Sequence, residues 1–174
     1  MYLKVSKKIQ GWTEKDYSEV SDLVCGLDIQ KYQSDPTKVD IKKLCTKPGA
    51  ENLQVYLNGE SVHWFDIMKK VGYWRKANHI HQWFVNNVQN GVDDCGYYFV
   101  SEQDLLNLDK TCEKVLENFL DSPKLLPRLE GFCFGGLDYN QYYLEDVKET
   151  RKIIDNIIES VDFENEVVMY HASW

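Results

Sequence analysis

The sequence predicts an α+β fold, a small and mostly antiparallel sheet covered by three or more helices, with helix outweighing strand. Two observations carry this. Apolar residues recur at three- and four-residue spacing over long stretches near 102–119 and 144–161, which gives each stretch one apolar helical stripe. Short runs rich in β-branched and aromatic residues, such as Tyr97–Val100 and Val167–Tyr170, are bounded by turn-forming residues and read as strands. No repeat, low-complexity stretch or clear linker interrupts the 174 residues, so one domain over 1–174 is expected, with 1–50 as a more variable part and 51–174 as the core.

In chain order, Tyr2 to Ile9 alternates apolar with Lys and Ser and suits an edge strand. From Trp12 to Pro48 the chain is polar and broken; Val20-Leu23-Val24 suits a helix and Val39-Ile41-Leu44 a strand. Lys47-Pro48-Gly49 reads as a turn, Leu53 to Leu57 as a short strand, and Asn58-Gly59 as another turn. Trp64, Ile67, Met68 and Val71 fall at helical spacing, and Gly72 can end that piece. Tyr73 to Val88 reads as a further helix closed by Asn90-Gly91, because a glycine just past the last turn takes a left-handed conformation without strain. After the Tyr97–Val100 strand, Ser101 with Asp104 resembles a capping box, and Leu105, Leu108, Cys112, Val115, Leu116 and Phe119 form one stripe. Pro123 and Pro127 mark a loop, Phe132 to Phe134 a short strand, and Asp138 a helix N-cap. Leu144, Val147, Arg151, Ile154, Ile157, Ile158 and Val161 then form the last helix before the Val167–Tyr170 strand.

Composition narrows the function classes. The net charge of −8 argues against general nucleic-acid binding, which needs a positive footprint. An acidic surface suits a protein that stays soluble or docks on a basic partner. Cys25, Cys45, Cys95, Cys112 and Cys133 are odd in number and widely spaced, with no C-x-x-C pair, which fits reduced thiols in a cytosol. The opening Met1-Tyr2-Leu3-Lys4 has no apolar signal-peptide region and no run reaches membrane-spanning length, so a cytoplasmic location off the membrane is expected.

The segment 73–95 carries the most distinctive chemistry. At about 100° per residue, Tyr73, Trp74, Ala77, Ile80, His81, Phe84, Val85 and Val88 share an arc of roughly 140°. Arg75, Asn78, His79, Gln82, Asn86 and Asn90 occupy the opposite arc, with Lys76, Trp83 and Asn87 at the border. Solvated helix faces commonly use Glu and Lys; amides instead suit a group with both donors and acceptors, such as a nucleobase or a peptide backbone. Arg75 and Lys76 suit phosphate, and Tyr73 or Trp83 suits stacking, so the set can hold a nucleotide-like ligand. His79 is expected in solvent or as a proton donor or acceptor toward a ligand, and His81 as a buried ring bonded to a backbone carbonyl. The two histidines diverge by about 160° on a helix, which excludes their shared ligation of a metal.

Other candidates are weaker. Asp93 and Asp94 suit a turn in which carboxylates accept backbone N–H groups, or a magnesium or acid–base pair. Phe134-Gly135-Gly136-Leu137-Asp138 can expose backbone N–H groups to an anion but lacks the Lys-Ser/Thr of a phosphate-binding loop. Tyr139, Tyr142 and Tyr143 fall on the first turn of the last helix, at least one of them in the core. Ser173 lacks a G-x-S-x-G elbow, which argues against a serine hydrolase. No catalytic residue, metal or cofactor is assigned.

Tyr73-Trp74-Arg75-Lys76-Ala77-Asn78, Ile80-His81, Trp83-Phe84-Val85, Asn87-Val88-Gln89, Gly91 and Asp93-Asp94-Cys95 together resemble a motif of uncharacterised phage and prophage proteins. Gly131-Phe132 through Asp138-Tyr139, Tyr142 to Val147 and Tyr170-His171 to Trp174 resemble the same family, over roughly Leu57 to Trp174. The resemblance implies a small accessory protein acting in the cytoplasm of a bacterial host cell, as counter-defence proteins do, and brings no catalytic mechanism. The expectation is a non-catalytic protein that binds a nucleotide-like or other polar small ligand through the 73–90 helix, with Tyr73, Trp74, Arg75, Lys76, Asn78, His79, Gln82, Trp83, Asn86, Asp93 and Asp94 as its ligand-binding residues. The alternatives are an acidic protein–protein inhibitor of a host defence or nucleic-acid enzyme, and a hydrolase using Asp93, Asp94 and a histidine on a nucleotide. The partners are then a small nucleotide-like ligand or a host defence protein, with a homo-oligomer left open.

Overall fold

A computed structural model describes residues 1–8, 11–18, 69–129 and 136–173. The chain divides into two compact units, one of Met1–Val5 with Lys70–Trp174 and one of Ser6–Lys69. The larger unit contains the whole 73–95 segment. In the smaller, residues 14–18 are helical; Asp16 accepts from both the backbone and the hydroxyl of Thr13, and the buried Trp12 and Tyr17 meet edge to face at 5.1 Å.

The elements are β1 (Tyr2–Lys7), β2 (Lys69–Tyr73), α1 (Asn78–Asn87), β3 (Tyr97–Val100), α2 (Glu102–Glu117), a 3-10 turn (Phe119–Asp121), the short α3 (Ser122–Leu125), α4 (Gln141–Ser160) and β4 (Glu166–His171). The strands form a four-stranded antiparallel sheet in the order β2-β1-β4-β3, with Tyr97 opposite His171 and Val100 opposite Val168. The α+β expectation holds. β1 is an interior strand, however, and not an edge. Its polar alternation marks a second covered face: Lys4 is buried, its ammonium donates to the Tyr97 hydroxyl at 2.7 Å, and Tyr97 stacks on His171.

The first face of the sheet carries the core. Leu3, Val168 and Tyr170 meet Ile80 and Phe84 of α1, Leu105, Leu108, Cys112 and Val115 of α2, and Val147, Ile154 and Ile157 of α4. The apolar stripes expected for α2 and α4 are therefore buried. Phe119 departs from the first of them, sitting in the 3-10 turn and partly exposed. Each long helix starts on a specific cap. Ser101 accepts from the Asp104 amide while the Asp104 carboxylate accepts from the Ser101 amide, a full capping box. For α4 the cap is Asn140 and not Asp138, its side-chain oxygen accepting from the amides of Tyr142 and Tyr143. That start leaves Tyr139 outside the helix, buries Tyr143 and exposes Tyr142.

The helix expected to end at Gly72 is not found at its described end. Val71 and Gly72 lie in β2, where a Cβ on Gly72 would meet Ile153 Cγ2 at 2.8 Å and Leu3 Cβ at 3.3 Å. The glycine is there because α4 lies directly on the strand. The expected elements at 20–24, 39–44, 47–49, 53–59 and 64–68, and the strand at 132–134, lie outside the described residues.

Candidate functional site

The distinctive helix is shorter than its periodicity suggests. Tyr73 ends β2, residues 74–77 connect, and α1 starts at Asn78. Lys76 sits at φ 62, a left-handed turn between strand and helix. Ala77 is the N-cap, without a side-chain hydrogen bond, and the first turn has no acidic residue. At the other end Asn90 and Gly91 are both left-handed, and the Gly91 amide donates to Val85 O at 2.8 Å, as the closing signal requires.

This start undoes the single polar arc. Tyr73, Trp74, Arg75 and Lys76 are off the helix, and only Gln82 and Asn86 behave as a solvated pair, bonded to each other at 2.6 Å. Arg75 and Lys76 are exposed. Tyr73 stacks at 5.2 Å on Tyr2, with the Lys70 ammonium over its ring. Trp74 is buried and its indole N–H donates to Thr150 Oγ1 at 2.8 Å. Trp83 is buried edge-on to Phe84. Neither Tyr73 nor Trp83 is therefore placed to stack on a ligand held at Asn78 and His79.

Asn78 and His79, expected on the polar side, are buried, because the first turn of α1 is covered on both flanks. His79 has no exposed surface, and its ring lies 4.4 Å from that of Tyr143 on α4. Asn78 Nδ2 donates to Leu129 O at 2.7 Å. On the same ring of Tyr143 sits Arg128, its guanidinium carbon 5.3 Å from the centroid. Arg128 donates from Nη1 to Gly136 O at 2.6 Å and from its amide to the Tyr139 hydroxyl oxygen at 3.0 Å. Tyr139 packs edge to face on Tyr143, whose hydroxyl donates to Leu126 O.

Within this cluster four buried atoms have no hydrogen-bond partner: Asn78 Oδ1, His79 Nδ1, His79 Nε2 and Arg128 Nε. Buried polar atoms are nearly always paired, so four on three neighbouring residues form a locus of unmet demand. The electrostatics match. Burial drives the His79 pKa down to about 3, with the Arg128 charge adding to the effect, so the ring is neutral near pH 7. Asp146, one turn along α4 from Tyr143, is pushed up to about 6 by burial, against the pull of Arg128. Arg128 and Asp146 carry no sequence signal of their own, because Arg128 lies in an irregular segment and Asp146 in an ordinary helical repeat. Only the folded chain brings Arg128 beside His79 at the start of α1 and within electrostatic reach of Asp146.

On the opposite flank of α1, His81 Nδ1 lies 2.7 Å from the Tyr170 hydroxyl and Nε2 lies 3.0 Å from Asp93 Oδ1. The expected backbone carbonyl is thus replaced by a tyrosine and a carboxylate. Burial raises the Tyr170 pKa and keeps its hydroxyl protonated, so that O–H donates to Nδ1 and Nε2–H donates to Asp93. Burial lowers the His81 pKa despite Asp93. Asp94 accepts from the Gly96 amide at 2.7 Å and from the Tyr98 hydroxyl, the turn role expected for it. His79 and His81 face different elements, as their two-residue spacing on a helix requires. No group of three potential metal ligands occurs among the described residues, and no helix there is long and apolar enough to cross a membrane.

Comparison with protein-family models, with curated proteins and with solved structures gave no match for this chain. The described residues form an α+β fold with a buried polar cluster between the start of α1 and α4.

Proposed function

We propose that this chain is a non-catalytic accessory protein of phage or prophage origin that binds a nucleotide-like or other polar small ligand in the cytoplasm of its bacterial host, in a counter-defence role. One observation carries the binding reading: the four unpartnered buried atoms of Asn78, His79 and Arg128. Each buried polar atom left unmet costs about 1–3 kcal/mol, and a ligand that pairs them recovers that energy on binding. Tyr143 forms an aromatic wall beside His79 and Arg128. Arg75 and Lys76, exposed just before the helix, supply positive charge for an anionic part of the ligand. The resemblance of the 73–95 motif to phage and prophage proteins supports the context.

The binding set therefore moves from the helix face to its first turn. It keeps Arg75, Lys76, Asn78 and His79, adds Arg128 and Tyr143, and omits Tyr73, Trp74, Gln82, Trp83, Asn86, Asp93 and Asp94. The hydrolase reading loses support because the Asp93–His81 pair is spent on Tyr170 and on the loop after α1. The net charge of −8 favours, as a second reading, an acidic inhibitor of a host protein.

The test is a thermal-shift and calorimetric screen of the full chain against linear and cyclic nucleotides. At least one is expected to raise Tm and to give a saturable heat that Arg128→Gln removes. Silence across the screen, together with a salt-sensitive complex with a host protein that Arg128→Gln leaves intact, overturns ligand binding in favour of the inhibitor.

A further inference from the structure

We infer that the buried atoms at the start of α1 read a planar edge that carries a hydrogen-bond donor beside an acceptor, as a nucleobase or cyclic amide does, and not a bare oxyanion. This rests on the ligand-binding reading and specifies the group that enters the cluster.

Asn78 commits Nδ2 to Leu129 O at 2.7 Å, which fixes the amide's orientation and leaves Oδ1, an acceptor, as the unmet atom. His79 is a neutral imidazole, so its two unpartnered nitrogens are one N–H donor and one lone-pair acceptor. Arg128 spends Nη1 on Gly136 O and leaves Nε–H, a donor. The two imidazole nitrogens point away from each other, so a single edge takes one of them, and with Asn78 Oδ1 and Arg128 Nε–H the cluster still offers that edge both a donor and an acceptor. An oxyanion meets only the donors and brings negative charge against Asn78 Oδ1 and an imidazole lone pair. An edge with a carbonyl or ring nitrogen beside an N–H can meet both kinds at once.

The surroundings agree. The Tyr143 ring flanks both His79 and Arg128, a flat wall suited to a flat group. The positive side chains suited to a phosphate, Arg75 and Lys76, are the exposed ones. Polar recognition is therefore divided, with an uncharged edge read inside and any phosphate met outside. The guanidinium of Arg128 is held by Gly136 O and by the Tyr143 ring, which fixes where Nε–H is presented.

The experiment compares uncharged nucleosides, the matching 5′-nucleotides, ribose 5-phosphate and inorganic phosphate by calorimetry on the full chain. A nucleoside is expected to bind, and its derivative methylated on the hydrogen-bonding edge to bind at least about tenfold more weakly. Ribose 5-phosphate and inorganic phosphate are expected neither to bind tightly nor to displace it. Arg128→Lys keeps the charge but removes Nε–H, and the same tenfold loss is expected; His79→Leu, checked for folding by circular dichroism, provides an independent second variant. Phosphate or ribose 5-phosphate binding as tightly as the nucleotide, with full affinity in Arg128→Lys, overturns this inference and leaves a ligand site standing. No binding by any probe means that water meets the four atoms, and it overturns both this inference and the ligand-binding reading.

Discussion

A buried histidine that resists protonation makes the fold acid-sensitive in a calculable way. Burial in the folded chain pushes the His79 pKa down to about 3, against 6.5 for an unburied histidine. A group whose pKa is depressed by folding contributes nothing to pH dependence where both states are neutral, above about 6.5. Below that the unfolded chain takes up a proton that the folded chain refuses, and stability falls until the pH reaches the folded value. Between about pH 7.5 and about pH 5.5 this one ring should remove about 1.3 kcal/mol. His81, also lowered, acts in the same direction; Asp146, raised to about 6, acts in the opposite one and is weakened by its partial exposure. Both are shared by wild type and a His79→Leu variant, so the difference between the two proteins isolates His79. Urea unfolding followed by tryptophan fluorescence at the two pH values supplies the measurement. The variant should lose about 1.3 kcal/mol less than wild type on acidification. At neutral pH it should be at least as stable, because Leu removes two unmet ring nitrogens at similar volume. Equal acid losses in the two proteins would refute the burial argument.

Three further outcomes follow from named contacts. Gly72→Ala should destabilise by about 1–3 kcal/mol in urea unfolding, since its Cβ would press on Ile153 and Leu3 where α4 meets β2. Ser101→Ala should cost about 1 kcal/mol by the same measurement, through loss of the α2 capping box. Tyr170→Phe removes the hydroxyl that donates to His81 Nδ1 and so favours the neutral ring less, and the His81 ring should protonate at a higher pH, read from its imidazole NMR shifts.

Local signals were legible in the sequence, and tertiary ones were not. The Ser101–Asp104 box and the stripes of α2 and α4 depend on neighbours a few residues away, and the structure has them. The left-handed pair at Asn90-Gly91 is equally local. Gly72 looked like a helix terminator because periodicity cannot tell a stop from a strand glycine pressed by a distant helix. The wheel for 73–88 failed for a related reason. It assumes one wet face, whereas α1 begins at Asn78 and its first turn is covered on one flank by Tyr143 and on the other by Tyr170. The unusual amides were a sound clue, since Asn78 is in the cluster, but Arg128 and Asp146 become neighbours only through the packing of α4. That approach of Arg128 is not contained in any local pattern.

The cluster is best weighed against the other lapses in pairing. Gln89 Oε1 is also buried and unpartnered, but it stands alone in the turn after α1, where its Nε2 bonds Val92 O. One such isolated atom among the described residues is ordinary. Four on Asn78, His79 and Arg128, around one tyrosine ring, are concentrated. At about 1–3 kcal/mol each they amount to a large part of the 5–15 kcal/mol that holds a domain together. Asn78 anchors the helix start to Leu129 O through Nδ2, but neither ring nitrogen of His79 anchors α1 to anything. Trp74 pins the approach to the helix through Thr150, Phe84 stacks on Tyr170 at 4.0 Å, and His81 ties its other flank to β4 and the following loop. Leucine at position 79 would serve that framework as well or better. Unmet polarity kept where packing alone favours an apolar side chain is what a local rule broken for function looks like, and it is the reason for proposing that a polar group binds there.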